Sequence, residues 1–264
     1  MFRALYTAAS GMAAQQMNLD NIANNLANAS TTGFRARRLQ FQDLVYQNVI
    51  APGSAATAQT TVPDGLQIGL GTRIAGSEVL QTQGDMVNTG NPLDVVIQGQ
   101  GFFQVQLPDG ELAYTRDGSF HLDQNRALVT ADGDPLQPSI TIPADALTIH
   151  IGSDGTVSVT EPNQAQATQV GTIQLANFPN PGGLSSAGGN ILTATTSSGQ
   201  AVVGTPGGAD GLGTIQQGML EQSNINVVDQ FIQMILTQRA YESNSKVVQA
   251  ADQMFQDLNN LPSR

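Results

Sequence analysis

Apolar residues recur every seven positions at the start of the chain, at Leu5, Met12, Leu19 and Leu26, and Ala8, Ala9, Ile22 and Ala23 fill the neighbouring stripe. A seven-residue repeat marks one face of a helix that pairs with another helix. The segment is rich in Ala, Met, Leu and Gln, which favour helix, with Gln15 and Gln16 breaking the stripe once. Ser30-Thr31-Thr32-Gly33 is stop and turn chemistry, which predicts a helix end near Asn28. A second stripe closes the chain: Val227, Phe231, Met234, Tyr241, Val248, Phe255 and Leu258, widened by Ile232, Ile235, Val247, Ala251 and Met254. Gln238, Ser245 and Asp252 are its polar interruptions, and Pro262 ends it. Asn226 followed three residues on by Asp229 resembles a capping box. Free of Gly and Pro, this segment makes a rod of about 50 Å at the helical rise. That is long for a globular helix and suits a coiled coil.

Between the two ends the period changes to two. Phe103, Val105 and Leu107 alternate with polar residues, as do Leu112 and Tyr114, Phe120 and Leu122, Ile140 and Ile142, Leu147, Ile149 and Ile151, Val157 and Val159, and Ile173 and Leu175. This is the pattern of half-buried strands. Asp109-Gly110, Asp117-Gly118, Asp132-Gly133 and Asp154-Gly155 punctuate them, and Asp-Gly suits tight hairpin turns. Residues 46–75, with Pro52 and Pro63, and residues 180–220 read as linkers or extended hairpins. The expected fold is therefore α+β: a discontinuous coiled coil of N- and C-terminal helices plus a mostly antiparallel β domain. The boundaries are 1–45 for the N-terminal helix and turn, 46–75 for the extended stretch, 76–221 for the β domain and 222–264 for the C-terminal helix.

Energetics tie the ends together. Leu5, Met12, Leu19, Ile22 and Leu26 contribute roughly 10 kcal/mol when fully buried. The backbone entropy of ordering such a helix, ~1–2 kcal/mol per residue, is larger. Neither terminal helix is secure alone, so each needs the other or a further subunit, and both are expected to be loose in the monomer.

Composition narrows the function. Only 12% of the 264 residues are charged, the net charge is −11, and there is no Cys. Thiol chemistry, disulfides and cysteine metal sites are excluded, and an acidic chain is a poor electrostatic partner for nucleic acid. No apolar run reaches the ~18 residues of a membrane span. Arg3 followed by residues 4–14 loosely imitates a secretory leader, but Tyr6, Thr7, Ser10 and Gly11 dilute its apolar heart. The net charge is +3 over residues 1–40, −12 over 41–220 and −2 over 221–264, so the acidity belongs to the β domain.

Candidate chemistry is thin. His121 and His150 stand alone at strand positions, without a second histidine or a motif. Asp132 and Asp134 form a close acidic pair, but one turn does not place two carboxylates across a substrate. Asp123-Gln124-Asn125 begins like a calcium loop, and Ala127 and Leu128 then occupy positions that need a ligand and a glycine. The glycine-rich pieces lack a phosphate-loop lysine or a full dinucleotide fingerprint. No enzyme activity, cofactor or metal is expected. Arg35, Arg37 and Arg38 are either a solvated cluster or a docking point for acids of a neighbouring copy. Asn18, Asn21, Asn24, Asn25 and Asn28 crowd the first helix although Asn is a mediocre helix former, which suggests lateral hydrogen bonding.

These residues carry a resemblance. Ile22–Phe34, reading IANNLANASTTGF, resembles the N-terminal signature of bacterial flagellar rod and hook proteins. Gln238–Lys246, reading QRAYESNSK, and Asp252-Gln253-Met254 are similar to their C-terminal helix. Gly99–Phe103 (GQGFF) and Tyr114–Phe120 (YTRDGSF) resemble their shared β domain. The length and the stretch from Tyr46 to Ile68, with Pro52, Gly53, Pro63 and Gly65, look most like the distal-rod branch of the family.

The resemblance implies a structural subunit of the basal body that serves motility. Copies would leave through the flagellar type III export apparatus without a cleaved signal peptide. They would polymerise into a rigid hollow helical shaft that spans the periplasm to the outer membrane inside the P and L rings. Proximal rod and hook-side axial proteins would be its other partners, with torque passed to the hook. Leu5, Met12, Leu19, Ile22, Asn24, Asn25, Leu26 and Asn28 of the first helix would serve self-assembly. So would Val227, Phe231, Met234, Tyr241, Val248, Phe255 and Leu258 of the second, and the Tyr46–Ile68 stretch would bridge copies. A proximal rod subunit of similar size, or a secreted β-rich oligomeric binding protein, is the alternative.

Overall fold

The computed structural model describes residues 2–54, 63–162, 166–208 and 211–260, with side chains described within 3–257. The described residues fall into two compact units. One takes its residues from Met1–Leu26, Arg37–Glu78 and Asn226–Arg264; the other takes Ala27–Ala36 and Val79–Ile225. The turn at 27–36 thus groups with the β unit, and the strands from 37 onward group with the helices.

The first unit holds two helices, α1 (Phe2–Ala27) and α2 (Val227–Asn260). Asn226 caps α2, its side-chain oxygen accepting from the amides of Val228 at 3.0 Å and Asp229 at 3.4 Å. The helices run antiparallel: Asn18 Nδ2 donates to Thr237 Oγ1 at 3.0 Å, and Asn25 Nδ2 to Gln230 Oε1 at 3.4 Å. Four strands complete the unit: β1 (Arg37–Asp43), β2 (Tyr46–Ile50), β3 (Leu66–Gly69) and β4 (Thr72–Val79). They form two ribbons, β1 pairing with β4 and β2 pairing antiparallel with β3. Of the two readings of residues 46–75, the hairpin is the one realised. Residues 55–62 of that stretch lie outside the described residues.

The second unit is the antiparallel β domain. Strands β5 (Met86–Asn88) and β6 (Val95–Gln98) pair with the late strands Met219–Glu221 and Thr214–Gln217. A seven-stranded sheet is centred on β7 (Phe102–Gln106) and β8 (Leu112–Thr115). It is covered on both faces, and the two phenylalanines of β7 show how. Successive strand residues point to opposite faces. Phe103, fully buried, packs with Phe120, Leu136, Ile140, Ile173 and Leu175, while Phe102 packs on the other side with Tyr114, Phe178 and Leu184. Phe103 and Phe120 meet edge to face at 5.1 Å, and Tyr114 and Phe178 at 4.7 Å.

Three of the four Asp-Gly pairs sit at turns with positive φ: Gly110 at +88°, Gly133 at +94° and Gly155 at +82°. Asp117-Gly118 differs. A Cβ at Gly118 would lie 1.6 Å from the carbonyl oxygen of Val95, so glycine is required there by close backbone approach, not by hairpin geometry.

Candidate assembly surfaces and a buried junction

The antiparallel helix pair buries only part of the apolar stripe of α2. Thr237 and Ala251 are buried, and Gln230, Met234, Asn244, Val248 and Phe255 are half-buried. Val227, Phe231 and Tyr241, expected in the seam, are exposed. With Val228 (65% exposed), Ile232 (52%), Ile235 (50%) and Leu236 (60%), Phe231 (48%) makes a continuous apolar row along the first turns of α2. That spacing is one helix face. Water-facing rows of this width mark surfaces meant for a partner. The Leu258 side chain lies outside the described residues.

On α1 the expected residues face inward. Leu5, Met12, Leu19 and Leu26 are half-buried, and Ile22 is buried together with Ala8 and Ala14. Asn25 is buried and fully engaged within its own chain. Its Oδ1 accepts from the Arg37 amide at 3.0 Å, and its Nδ2 donates to the Arg37 carbonyl at 2.9 Å as well as to Gln230. Asn21 donates to the same carbonyl at 2.8 Å. Asn28 closes the helix end, accepting from the Thr31 hydroxyl at 3.2 Å. Asn24 is exposed.

The β2–β3 ribbon is exposed on both faces, with Tyr46, Val49, Ile50, Leu66 and Ile68 all open to water. Pairing of Gln47 with Ile68 and of Ile50 with Leu66 across a bulge concentrates aliphatics on one side. Pro52, Gly53 and Pro63 flank the ribbon as exposed residues, and Gly65 is half-buried. At its root the Asp43 carboxylate hydrogen-bonds the Tyr46 hydroxyl and pushes that phenol up from its ordinary value.

The basic cluster splits. Arg38 forms an exposed pair with Glu78 at 2.9 Å, and with Gln40 it holds that carboxylate below the usual range. Arg37 is half-buried beside Asn25. Arg35 is a correction to the docking expectation. It is buried, with its Nη2 2.7 Å from Glu221 Oε1, and so meets an acid of its own chain.

That pair belongs to a junction inside the β unit. Glu221, 2% exposed, also lies 3.3 Å from Arg116 Nη1 and accepts the Gly84 amide at 2.9 Å. Arg116 stands 5.5 Å over the Phe102 ring and donates to the carbonyls of Ile97 and Gly99. Burial pushes the Arg116 guanidinium down to about 10, against the opposing pull of Glu221, and lowers Arg35 in the same way. Beside the triad, Asn224 accepts the Ala36 amide at 2.8 Å and donates to the carbonyls of Leu80 at 3.0 Å and Thr82 at 2.9 Å. The Gly33 amide binds the Glu221 carbonyl at 2.8 Å. The segment leaving α1 and the segment entering α2 are thereby fastened to each other. The sequence reading missed Arg116, Glu221 and Asn224, because Arg116 lies 105 residues from Glu221 and no local motif joins them.

The candidate catalytic groups are dispersed. His121 and His150 are exposed on different strands. Asp132 is exposed, while buried Asp134 closes a turn through backbone bonds with Thr130. Among the described residues no group of three or more His, Asp or Glu is placed to hold a metal. Nor is any described helix long and apolar enough to cross a membrane.

Two long terminal helices, the second with an apolar face its own chain leaves in water, belong to a chain built to associate through its ends. Three family models match: the flagellar basal-body rod protein over residues 5–35, the flagellar hook protein FlgE/F/G D1 domain over 96–159, and the C-terminal region of the basal-body rod FlgEFG proteins over 216–261. The flagellar basal-body rod protein FlgG of Buchnera aphidicola subsp. Schizaphis graminum is 48% identical over 99% of this chain and all of its own. FlgG of Borreliella burgdorferi is 46% identical over 99% of each chain, and that of Caulobacter vibrioides 45% over 99% of this chain and all of its own. The chain belongs to the flagellar basal-body rod protein family, in its FlgG branch.

Proposed function

We propose that copies of this chain polymerise into the distal rod, a rigid hollow helical shaft that passes torque to the hook. The exposed apolar row of α2, Val228, Phe231, Ile232, Ile235 and Leu236, carries this reading. A monomer gains nothing from leaving that face in water, and a neighbouring copy's helix covers it. In the assembled shaft the two helices form the inner tube and the acidic β unit the outer layer. The β2–β3 ribbon, with its aliphatic side, bridges adjacent copies. Export proceeds through the flagellar type III apparatus without a cleaved signal peptide. The shaft crosses the periplasm to the outer membrane within the P and L rings, between proximal rod and hook-side proteins. The role is mechanical, with no catalytic step.

Electron microscopy of the purified full-length chain at high concentration tests the proposal. Straight hollow filaments that vanish when either terminal helix is trimmed are the expected result. A fixed small oligomer overturns it in favour of a β-rich binding protein that uses its helices only to oligomerise.

A further inference from the structure

Helix α1 has a second face beside its apolar stripe. Thr7, Ser10, Ala14, Asn21 and Asn25 fall on it in helical steps, all of them buried or half-buried. The row holds nothing larger than asparagine, and both of its ends meet the ribbon of β1 and β4. At one end Asn21 and Asn25 donate to the Arg37 carbonyl, at 2.8 and 2.9 Å, and Asn25 Oδ1 accepts the Arg37 amide at 3.0 Å. At the other end the Ser10 hydroxyl donates to the Thr7 carbonyl at 2.9 Å and accepts the Thr72 amide at 3.4 Å. Gly71, next to Thr72, has a φ of +116°. A Cβ on Gly71 would overlap Ser10 Oγ and stand 3.5 Å from the Thr7 Cα, so backbone is pressed onto the helix where only glycine fits.

The two anchors are spaced alike on both partners. From Asn25 back to Ser10 the helix covers about 22 Å. From Arg37 forward to Leu44 extended chain covers about 23 Å, and the Leu44 amide donates to the Gly71 carbonyl at 2.9 Å. Helix and strand thus lie alongside in opposite directions and touch at both ends. The β2–β3 ribbon springs from the second anchor, since β2 opens at Tyr46 and β3 closes at Gly69. Its root is tied across both strands. The Tyr46 ring lies on Gly69, where a Cβ would stand 3.3 Å from Cε1, and the Tyr46 hydroxyl binds Asp43. Thr72 Oγ1 donates to the Gln42 carbonyl at 3.1 Å, and Arg73 Nη2 to Gln42 Oε1 at 3.2 Å.

We propose that β1–β4 is a splint along α1 and that the seating of Gly71 on Ser10 fixes the direction in which the β2–β3 ribbon leaves the helix. Ser10 and Gly71 are its positioning residues; Asn21 and Asn25 hold the far end. A ribbon of two strands is marginal by itself and would swing about its root. Pinned this way, ribbon and helix turn as one body whenever α1 is formed. The anchoring belongs to the single chain; only its consequence, that the ribbon reaches a neighbouring copy at a set angle, rests on the assembly reading.

The chain has no cysteine, so paired spin labels can be placed at will. Labels on Ala13→Cys of α1 and Val49→Cys of the ribbon, both exposed positions, report the angle as a distance in frozen full-length chain below polymerising concentration. Gly71→Ala and, separately, Ser10→Leu should each move the main distance by several ångström or split it in two. Ser10→Leu strains no backbone and keeps a good helix former in α1. Ser10→Ala combined with Gly71→Ala should return the parental distance, because the nearest Ser10 atom is then Cβ at 3.4 Å while the strain of alanine at this φ is the same as in Gly71→Ala alone. A second pair, Ala13→Cys with Ser243→Cys on α2, should hold its distance throughout. A parental distance in either single variant, a combined variant displaced as far as Gly71→Ala, or a helix pair that moves in step with the ribbon overturns the splint. Failure to form filaments with the parental distance intact would count against the assembly reading and leave the splint standing.

Discussion

Replacing Glu221 by Gln keeps the shape of the junction and removes its one anion. The carboxylate lies 2.7 Å from Arg35 and 3.3 Å from Arg116, and all three side chains are buried. At an effective dielectric of about 20, the two ion pairs have gross attractions of about 5–6 kcal/mol each. Desolvation of three ions, several kcal/mol each, and repulsion between the two guanidiniums consume most of that. The intact triad is therefore worth little net. Its broken form is another matter, because two buried cations then face each other without a counter-charge, and such a loss costs about 3–5 kcal/mol. For a unit of this size that lowers the melting temperature by roughly 6–20 °C. Denaturant unfolding followed by the β-sheet circular dichroism signal, with calorimetry alongside, measures it. Replacing the whole triad, as Arg35→Met, Glu221→Leu and Arg116→Met together, should recover part of the loss. Recovery will be incomplete because the carbonyls of Thr82, Ile97 and Gly99 each lose an arginine donor, although Asn224 and Gln83 still serve the first two. A Glu221→Gln chain within about 1 kcal/mol of the parent would refute this account of the junction.

Other expectations follow from the same geometry. Gly118→Ala should destabilise the β unit by more than about 4 kcal/mol, since its Cβ would overlap the Val95 carbonyl. By contrast Gly11→Ala should change stability by less than about 1 kcal/mol, because the Asn244 amide can rotate away and alanine favours helix; chemical denaturation distinguishes the two. Phe231→Asp with Ile235→Asp, both half exposed, should leave the monomer's circular dichroism intact and abolish sedimenting polymer, and polymer at parental yield would remove that face from the assembly. Removing residues 50–65 should leave the β unit folded and give flexible or aberrant shafts under the electron microscope, whereas normal straight shafts would show that the ribbon does not bridge copies. Amide exchange on dilute monomer should find α1 and α2 weakly protected beside a well-protected β7, with strong helix protection the contrary result.

The ends of the chain were legible because each obeys a local rule. The heptad of Leu5, Met12, Leu19 and Leu26 faces inward, and Asn226 caps the second helix. The Asp-Gly pairs at 109, 132 and 154 mark turns for the conformational reason expected of them. What the linear pattern left open was a competition between two valid faces. Helix α2 has more apolar positions than one partner can cover, and counting them cannot say which face is kept for the chain's own α1. Gln230, Thr237 and Asn244 were not singled out in the linear pattern, yet they lie in the inner seam opposite Asn25, Asn18 and Gly11. Arg35 illustrates the other limit. Three clustered arginines look solvated until the fold brings Glu221 from near the other end of the sequence into contact with one of them.

The wiring of the β unit also sets the order in which it can become complete. Its early strands β5 and β6 find their partners only in Met219–Glu221 and Thr214–Gln217, and Arg35 finds its counter-ion only at Glu221. Contacts that span most of a chain are slow to form, because loop closure must come before any reward. Under the export proposed above, a chain delivered head first would hold an unfinished unit until its last strands emerge. Completion coincides with arrival of the residues that lead into α2, so the body and the helix become available at the far side together. Late closure of this kind would suit the export proposed above, keeping the chain thin and threadable in transit and closing it only at the destination.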